Sequence, residues 1–239
     1  IFIMEFKLNE DQQMIHDLAK DFAESVLQPR IDEIEAGEMT EVSNGEKHPQ
    51  LPHDIHQQLA ECGFIGISFP EEYNGLGMGH VEQAIVIKEL SRISPSVGKC
   101  LDVYILGLEA LDLYASPEQK EKYLRMLTKG HKVGAFCLTE SDAGSDAAKG
   151  QTEAKLDGDH YVLNGSKIFI TNGYVADVFV VFAMTDKSKG TRGISAFIVE
   201  SSFPGFSVGK HEEKMGLHGS PTAEIVFTDC IVPKENLLG

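Results

Sequence analysis

Residues 134–146 read Gly-Ala-Phe-Cys-Leu-Thr-Glu-Ser-Asp-Ala-Gly-Ser-Asp, an apolar segment that runs directly into small, hydroxylic and acidic residues. Such a segment predicts a strand that ends in a loop. The loop offers backbone N–H groups and hydroxyls to a polar planar ligand at Leu138, Thr139, Gly144 and Ser145. Gly144 has no Cβ to hold a ligand away. The alternative is an ordinary surface turn, because Ser, Asp and Gly are common in any turn.

The composition indicates a globular protein with an acidic surface. The 239 residues are 42% hydrophobic and 24% charged, with a formal net charge of −16. This length is enough for one large or two ordinary domains with real cores. An acidic surface repels phosphate groups, which argues against nucleic acid and against anionic membranes as partners.

Two further features bear on location and metal binding. No stretch has the length and hydrophobicity of a membrane span or the pattern of a secretory signal, so the expected location is the cytoplasm. The four cysteines, Cys62, Cys100, Cys137 and Cys230, are far apart and never spaced as C-x-x-C. Neither a metal site nor a disulfide framework is predicted.

The first half of the chain has the periodicity of helices. A capping box at Asn9 to Gln12 precedes apolar residues at helical spacing, which predicts an amphipathic helix ending near Pro29. Residues 81–90 and 97–113 are apolar on most of their circumference, as expected of helices buried in a bundle. Residues 37–52 are polar and contain Gly, Asn and Pro, so they are predicted to form a loop.

After Gly130 the apolar period changes from 3.6 to 2, and turn dipeptides follow at strand-length intervals. These dipeptides are Asp157-Gly158, Asn164-Gly165 and Asn172-Gly173. Six or more short antiparallel strands predict a small barrel or sandwich. The expected domains are therefore a helical unit over residues 4–132 and a β unit over residues 133–239. No G-x-G-x-x-G links a strand to a helix, so a Rossmann dinucleotide site is not supported.

The helical half, the β half and the motifs around Leu138-Thr-Glu140 and Gly144-Ser-Asp146 together resemble the flavin-dependent acyl-CoA dehydrogenases. The resemblance extends over nearly the whole chain. Further motifs carry it: Phe69 to Gly77, Leu163 to Gly173, Phe197 to Glu200, Lys214 to Gly216 and Val232 to Asn236. Residues 182–190 and Phe169 look most like the short-chain, butyryl-CoA branch.

The resemblance implies an all-α N-terminal domain, an antiparallel β-barrel middle domain and FAD as the cofactor. The residues it assigns to FAD are Phe136, Leu138, Thr139, Gly144, Ser145, Phe169, Ile170 and Thr171. Ser145 is also expected to contact the acyl-CoA substrate. Thr171 would supply a hydrogen bond near flavin N5, and Phe169 would shield the ring from water.

The implied reaction is α,β-dehydrogenation of a short-chain acyl-CoA, with electrons passed to an electron-transferring flavoprotein by a homo-oligomeric enzyme. The resemblance places the catalytic glutamate in a C-terminal helical bundle after Gly239, so no catalytic residue is predicted here. The chain alone is accordingly expected to be inactive, and Glu140 is interpreted as structural. The alternatives are a non-catalytic flavin or acyl-CoA binding module and an acyl-CoA oxidase.

Overall fold

The computed structural model describes residues 7–41 and 47–239, and it separates helices and strands along the chain. The α-helices are α1 (Glu10–Phe22), α2 (Ile31–Ala36), α3 (His53–Glu61), α4 (His80–Ile93), α5 (Pro95–Tyr114), α6 (Pro117–Gln119) and α7 (Arg125–Thr128). The strands of the second half are β3 (Gly134–Cys137), β4 (Glu153–Asp157), β5 (His160–Thr171), β6 (Val178–Met184), β7 (Ile194–Glu200), β8 (Phe206–His211), β9 (Thr222–Pro233) and β10 (Leu237–Leu238). The expected order of a helical part followed by a β part is confirmed.

Helix α1 begins as the sequence predicts. The Asn9 side chain accepts a hydrogen bond from the Gln12 backbone at 2.8 Å, and the Gln12 side chain accepts one from the Asn9 backbone at 3.1 Å. The predicted end near Pro29 is wrong, because the chain continues through a π-helical turn and the 3-10 turn Gln28–Arg30 into α2. Pro29 lies in the first turn of that 3-10 segment, where a missing N–H is tolerated.

The predicted loop over residues 37–52 contains a small antiparallel hairpin instead. Its strands are β1 (Glu38–Glu41) and β2 (Lys47–Gln50). Gly37, with a φ of 73°, ends α2 just before β1. The hairpin was missed because backbone hydrogen bonds alone can pair two strands, without the alternating apolar pattern that sequence reasoning looks for.

Helix α5 is the longest helix, at 20 residues, and it supplies much of the helical core. Leu101, Tyr104 and Leu108 on its inner face are almost completely buried. The prediction that this helix is buried in a bundle is confirmed for its inner face, whereas Leu106 and Leu113 are 42% and 71% exposed. Within residues 7–41 and 47–239, α5 and the other helices do not combine the length and hydrophobicity that crossing a membrane requires.

The β half is one mixed sheet with the strand order β10-β7-β6-β4-β5-β9-β8, and β3 pairs with β6. Most neighbours are antiparallel, but β3 and β4 are parallel to β6. In the part of the chain that the structure describes, the ladder ends at β10 and β8, so the sheet is open and not the expected closed barrel. Closure requires the edge strands to pair along their length, and β10 has only two residues.

Strand β5 runs without a break through Asn164-Gly165, where the sequence predicts a turn. From Leu163 to Gly165 β5 advances two residues, while its partner β9 advances three, from Cys230 to Phe227. The dipeptide therefore lies opposite a β-bulge in β9. Gly165 has a φ of 142°, and a Cβ there would lie 2.7 Å from the Thr152 Cα. Only glycine fits this conformation and this close approach. The predicted turn at Asp157-Gly158 is confirmed between β4 and β5.

The sheet packs on the helices through one of its two faces. Val178, Val180 and Ile198 belong to the apolar cluster that includes the helical core. The alternate residues Phe179 and Val181 belong to a second cluster on the opposite face. Because both faces of β6 are buried, this strand fixes the sheet against the helical half.

A cavity of about 320 Å³ lies between the helices and the sheet, and its lining includes His56, Tyr104, Val133, Asn172 and Asp177. The Nε2 atom of His56 is buried and has no hydrogen-bond partner among the described residues. Burial, with a smaller contribution from the nearby His53, lowers the pKa of His56 from 6.5 to about 4. His56 is therefore neutral in the folded protein at neutral pH.

We expect the stability of the protein to fall on acidification through the titration of His56. Between pH 6.5 and 4 the unfolded chain binds a proton at this position and the folded chain does not, so the free energy of unfolding decreases as the pH falls. From the two pKa values the loss is roughly 3 kcal/mol at most. Urea unfolding of the wild type and of His56→Leu at pH 7.5, 5.5 and 4 measures it. Parallel pH profiles of the two proteins would contradict this assignment.

Candidate functional site

The structure brings together the two segments that the sequence assigns to a ligand. The first is the loop of residues 138–145 after β3, and the second is the end of β5, residues 167–171. The Ile168 backbone N–H donates to the Thr139 carbonyl at 2.9 Å. The hydroxylic loop and the end of β5 therefore form one continuous region.

A buried ion pair joins the same two segments. Lys167 Nζ lies 2.6 Å from Glu140 Oε1, and the two side chains are 2% and 8% exposed. Lys167 also donates to the Leu138 carbonyl at 3.1 Å. The Glu140 carboxylate accepts hydrogen bonds from the backbone N–H groups of Gln151 at 2.5 Å and Thr152 at 3.1 Å. One carboxylate and one ammonium thus connect the loop, the chain that leads into β4, and β5.

The electrostatics agree with a fixed ion pair. Burial opposes ionisation of Glu140, but the hydrogen bonds from Lys167, Gln151 and Thr152 outweigh it and hold the pKa of Glu140 below its usual range. Burial lowers the pKa of Lys167, and the Glu140 carboxylate opposes that shift. Glu140 is therefore an ionised structural carboxylate, in agreement with its interpretation from the sequence.

The loop closes on itself before its glycine. Glu140 and Ala143 exchange two backbone hydrogen bonds of 3.1 Å, and Ser141 and Asp142 form the turn between them. Gly144 then follows, exposed, and no atom lies within 4 Å of the position that a Cβ would occupy there. The space beside Gly144 is open to a ligand.

The end of β5 has an unusual backbone conformation. Phe169 has a φ of 59° and is 60% exposed, and Asn172 has a φ of 65°. A positive φ is uncommon for a bulky residue such as phenylalanine and is a form of stored strain. The register against β9 shifts between Lys167 and Ile170, which accommodates the Phe169 conformation. In this strained conformation the Phe169 ring is exposed to solvent, two residues before Thr171.

Three hydroxyl groups in this region are free to bind a ligand. The side chains of Thr139, Ser145 and Thr171 make no hydrogen bond to any residue in the described ranges. Thr171 is 6% exposed, so its position is fixed by packing. On its C-terminal side the Asn172 backbone donates to the Pro221 carbonyl at 2.9 Å, and the Asn172 side chain donates to the Cys100 carbonyl of α5 at 3.3 Å.

The other predicted residues differ in what they can offer. Phe136 packs against Phe182, with ring centroids 5.1 Å apart. Leu138, two residues after Phe136, is half-buried. The Ile170 side chain is 2% exposed in the core of the sheet. Any ligand contact of Ile170 is therefore made by its backbone.

Lys167 is the residue of this region that sequence reasoning missed. Its position in the strand was the available signal. Lys167 comes four residues after the buried Leu163 on β5, and alternate residues of a strand point to the same face of the sheet. A lysine at an inward position of a strand needs a buried partner. The sequence could raise that question but could not identify Glu140, which is 27 residues earlier in the chain.

The chain matches two family models. Residues 9–131 match the acyl-CoA dehydrogenase N-terminal domain, and residues 135–230 match the acyl-CoA dehydrogenase middle domain. A curated relative, a short-chain specific acyl-CoA dehydrogenase of Clostridium acetobutylicum, is 45% identical over 99% of this chain. The match covers 60% of that relative, so the chain spans about three fifths of its length.

Solved structures give the same result. The butyryl-CoA dehydrogenase of Megasphaera elsdenii superposes with a TM-score of 0.88 at 42% identity, covering 99% of this chain and 60% of that one. A chain in a study of the electron transferring flavoprotein of Acidaminococcus fermentans superposes with a TM-score of 0.90 at 48% identity, with the same coverage. An acyl-CoA dehydrogenase of Bacillus anthracis complexed with FAD gives 0.86 at 34% identity, covering 99% of this chain and 38% of that one.

The N-terminal domain model matches the helical half of the chain, and the middle domain model matches the β half. The family models together span most of the 239 residues. The chain belongs to the acyl-CoA dehydrogenase family and contains its N-terminal and middle domains.

Proposed function

We propose that this chain forms part of an FAD-dependent dehydrogenase that converts a short-chain acyl-CoA to the enoyl-CoA. The observation that carries the proposal is the junction of the 138–145 loop with the end of β5. Three hydroxyls there lack hydrogen-bond partners among the described residues, and Gly144 faces open space. Such groups fit a planar cofactor with polar edges, such as the isoalloxazine of FAD.

The residues of this chain would bind and orient the cofactor and exclude water from it. FAD, when bound, supplies the hydride acceptor for the β hydrogen of the substrate. Thr171 would donate a hydrogen bond to the flavin, and the exposed Phe169 ring would cover it from water. Ser145 would contact the acyl-CoA as well as FAD. Thr139, Gly144 and the backbone of Ile170 would complete the cofactor contacts, with Phe136 and Leu138 supporting the loop.

The removal of the α proton from the substrate requires a base, and the cofactor and substrate contacts proposed above do not include one. Glu140 directly follows the proposed contact Thr139 in sequence, but Lys167 and two backbone N–H groups already bind its carboxylate. A base must reach its proton in a plausible substrate pose, and a buried, paired carboxylate does not. No residue of this chain is therefore proposed as the base.

Partners and domain limits belong to the same proposal. The likeness to a chain studied with an electron transferring flavoprotein supports such a protein as the electron acceptor. We further propose a homo-oligomer, as the resemblance implies. The end of α7 at Thr128 and the start of β3 at Gly134 support domains of 4–132 and 133–239.

We expect the complete gene product to reduce a dye with butyryl-CoA and residues 1–239 alone to be inactive. General base catalysis typically contributes 10²–10⁴-fold, roughly 3–5 kcal/mol of the barrier. The measurement compares dye reduction and FAD content of the two purified forms. Turnover by residues 1–239 alone would place the base within them, and Glu140→Gln would then be the first variant to examine.

We expect Thr171→Val to slow flavin reduction by butyryl-CoA about fivefold to tenfold in the complete protein. The substitution keeps the shape and removes one hydrogen bond to the cofactor, a loss of about 1 kcal/mol. Stopped-flow absorbance of the flavin measures the rate. The matched control is Thr222→Val on β9, directly opposite Thr171, because the Thr222 hydroxyl already donates to the Ser220 carbonyl. Equal rates in the wild type and Thr171→Val would remove Thr171 from the site.

We expect Gly144→Ala to weaken FAD binding without changing stability. The new methyl group meets no protein atom within 4 Å, so the melting temperature of the apoprotein should not change. Gly216 is equally open, and Gly216→Ala is the control. Equilibrium titration with FAD and thermal melting of both variants separate the two effects. Unchanged FAD affinity in Gly144→Ala would exclude close contact at this position.

A further inference from the structure

We propose that Lys167 is a positioning residue for the flavin site: its ammonium group holds the 138–145 loop and the end of β5 in one fixed arrangement. The inference rests on the proposed function, because it concerns the same site. Lys167 does not touch the cofactor in this proposal. It acts through the Leu138 carbonyl and the Glu140 carboxylate, to which it donates hydrogen bonds of 3.1 and 2.6 Å.

Lys167 lies close in the chain to residues of the proposed site. It precedes Phe169 by two residues and Thr171 by four, and its side chain reaches the first residues of the loop. The adjacent Ile168 N–H bonds the Thr139 carbonyl. Three successive loop residues, Leu138, Thr139 and Glu140, are therefore held by two successive residues of β5.

Strand β9, which pairs with β5, does not form a regular ladder with this segment. Lys167 pairs with Ile225 and Ile170 pairs with Ala223, and the register shifts between these pairs. Ile168 and Phe169 fall in the gap, where Phe169 takes its positive φ. The position of the Phe169 segment therefore depends on the contacts with the loop, and Lys167 provides two of them.

The ammonium group of Lys167 can form contacts that an apolar side chain cannot. A buried lysine is costly, and an apolar residue of similar length would fill the same space. The ammonium differs from such a residue because it donates several hydrogen bonds at once to acceptors in different segments. Without Lys167, Glu140 could keep its hydrogen bonds from Gln151 and Thr152. The Leu138 carbonyl, in contrast, accepts a hydrogen bond from no other side chain among the described residues.

The experiment separates positioning from stability with three variants of the complete, FAD-loaded protein. Lys167→Met leaves Glu140 buried and unpaired, so it should lower both the melting temperature and FAD affinity. Glu140→Gln keeps the Leu138 contact of Lys167 and should change FAD affinity less than threefold. The double variant Lys167→Met/Glu140→Gln removes both charges, so its melting temperature should return toward the wild-type value.

The decisive measurement is FAD binding by the double variant. If Lys167 positions the loop, the double variant keeps a dissociation constant for FAD at least tenfold above the wild type, with a shifted flavin absorption band. The matched control is Lys149→Met/Asp146→Asn, which removes an exposed ion pair of 3.3 Å just after the same loop. This control should bind FAD as the wild type does.

Two outcomes would overturn the proposal. In one, the double variant regains wild-type FAD affinity together with its melting temperature. In the other, the double variant does not fold, which would make the contribution of Lys167 purely structural. Failure of the proposed function would look different, because the wild-type protein itself would then bind no FAD.

Discussion

The ion pair between Lys167 and Glu140 is the contact on which the candidate site depends. It is almost completely buried, and its hydrogen bonds reach three separate segments of the chain. Replacing a buried ion pair by apolar residues is often neutral or stabilising, so a gain in stability does not explain it. The ion pair is explained instead by its effect on the geometry of the site. An ammonium and a carboxylate impose directions on their neighbours that an apolar contact would not.

The surrounding fold determines where that pair can form. Strand β3 is parallel to β6 and leads its loop toward β5. Two bulges, the first in β9 and the second in β5, shift the register between these two strands. The second of these bulges leaves Phe169 exposed in a strained conformation. Asn172 then ties the end of β5 to the Cys100 carbonyl in α5. The site thus has the sheet on one side and a helix of the N-terminal half on the other.

The sequence predicted the features that depend on neighbouring residues. The Asn9 capping box, the main helices and the change to strands after Gly130 follow from local pattern, and the structure has them. The closed barrel, the turn at Asn164-Gly165 and the loop at 37–52 were wrong. Each of these depends on a pairing partner: the edge strands, Thr152 beside Gly165, and β2 opposite β1. A local pattern does not contain that information.

The same distinction applies to the site. The hydroxylic loop and the Phe169 to Thr171 segment were recognised from their motifs, and their mutual contact agrees with grouping them. Lys167 lies within one of the quoted motifs and was still passed over, because its partner is distant in sequence. A lysine at an inward position of a strand conflicts with the apolar pattern around it, and sequences tolerate such conflicts chiefly where function or geometry requires them. Inward charges on strands therefore indicate residues that organise a site, even where motifs name only the residues that touch the ligand.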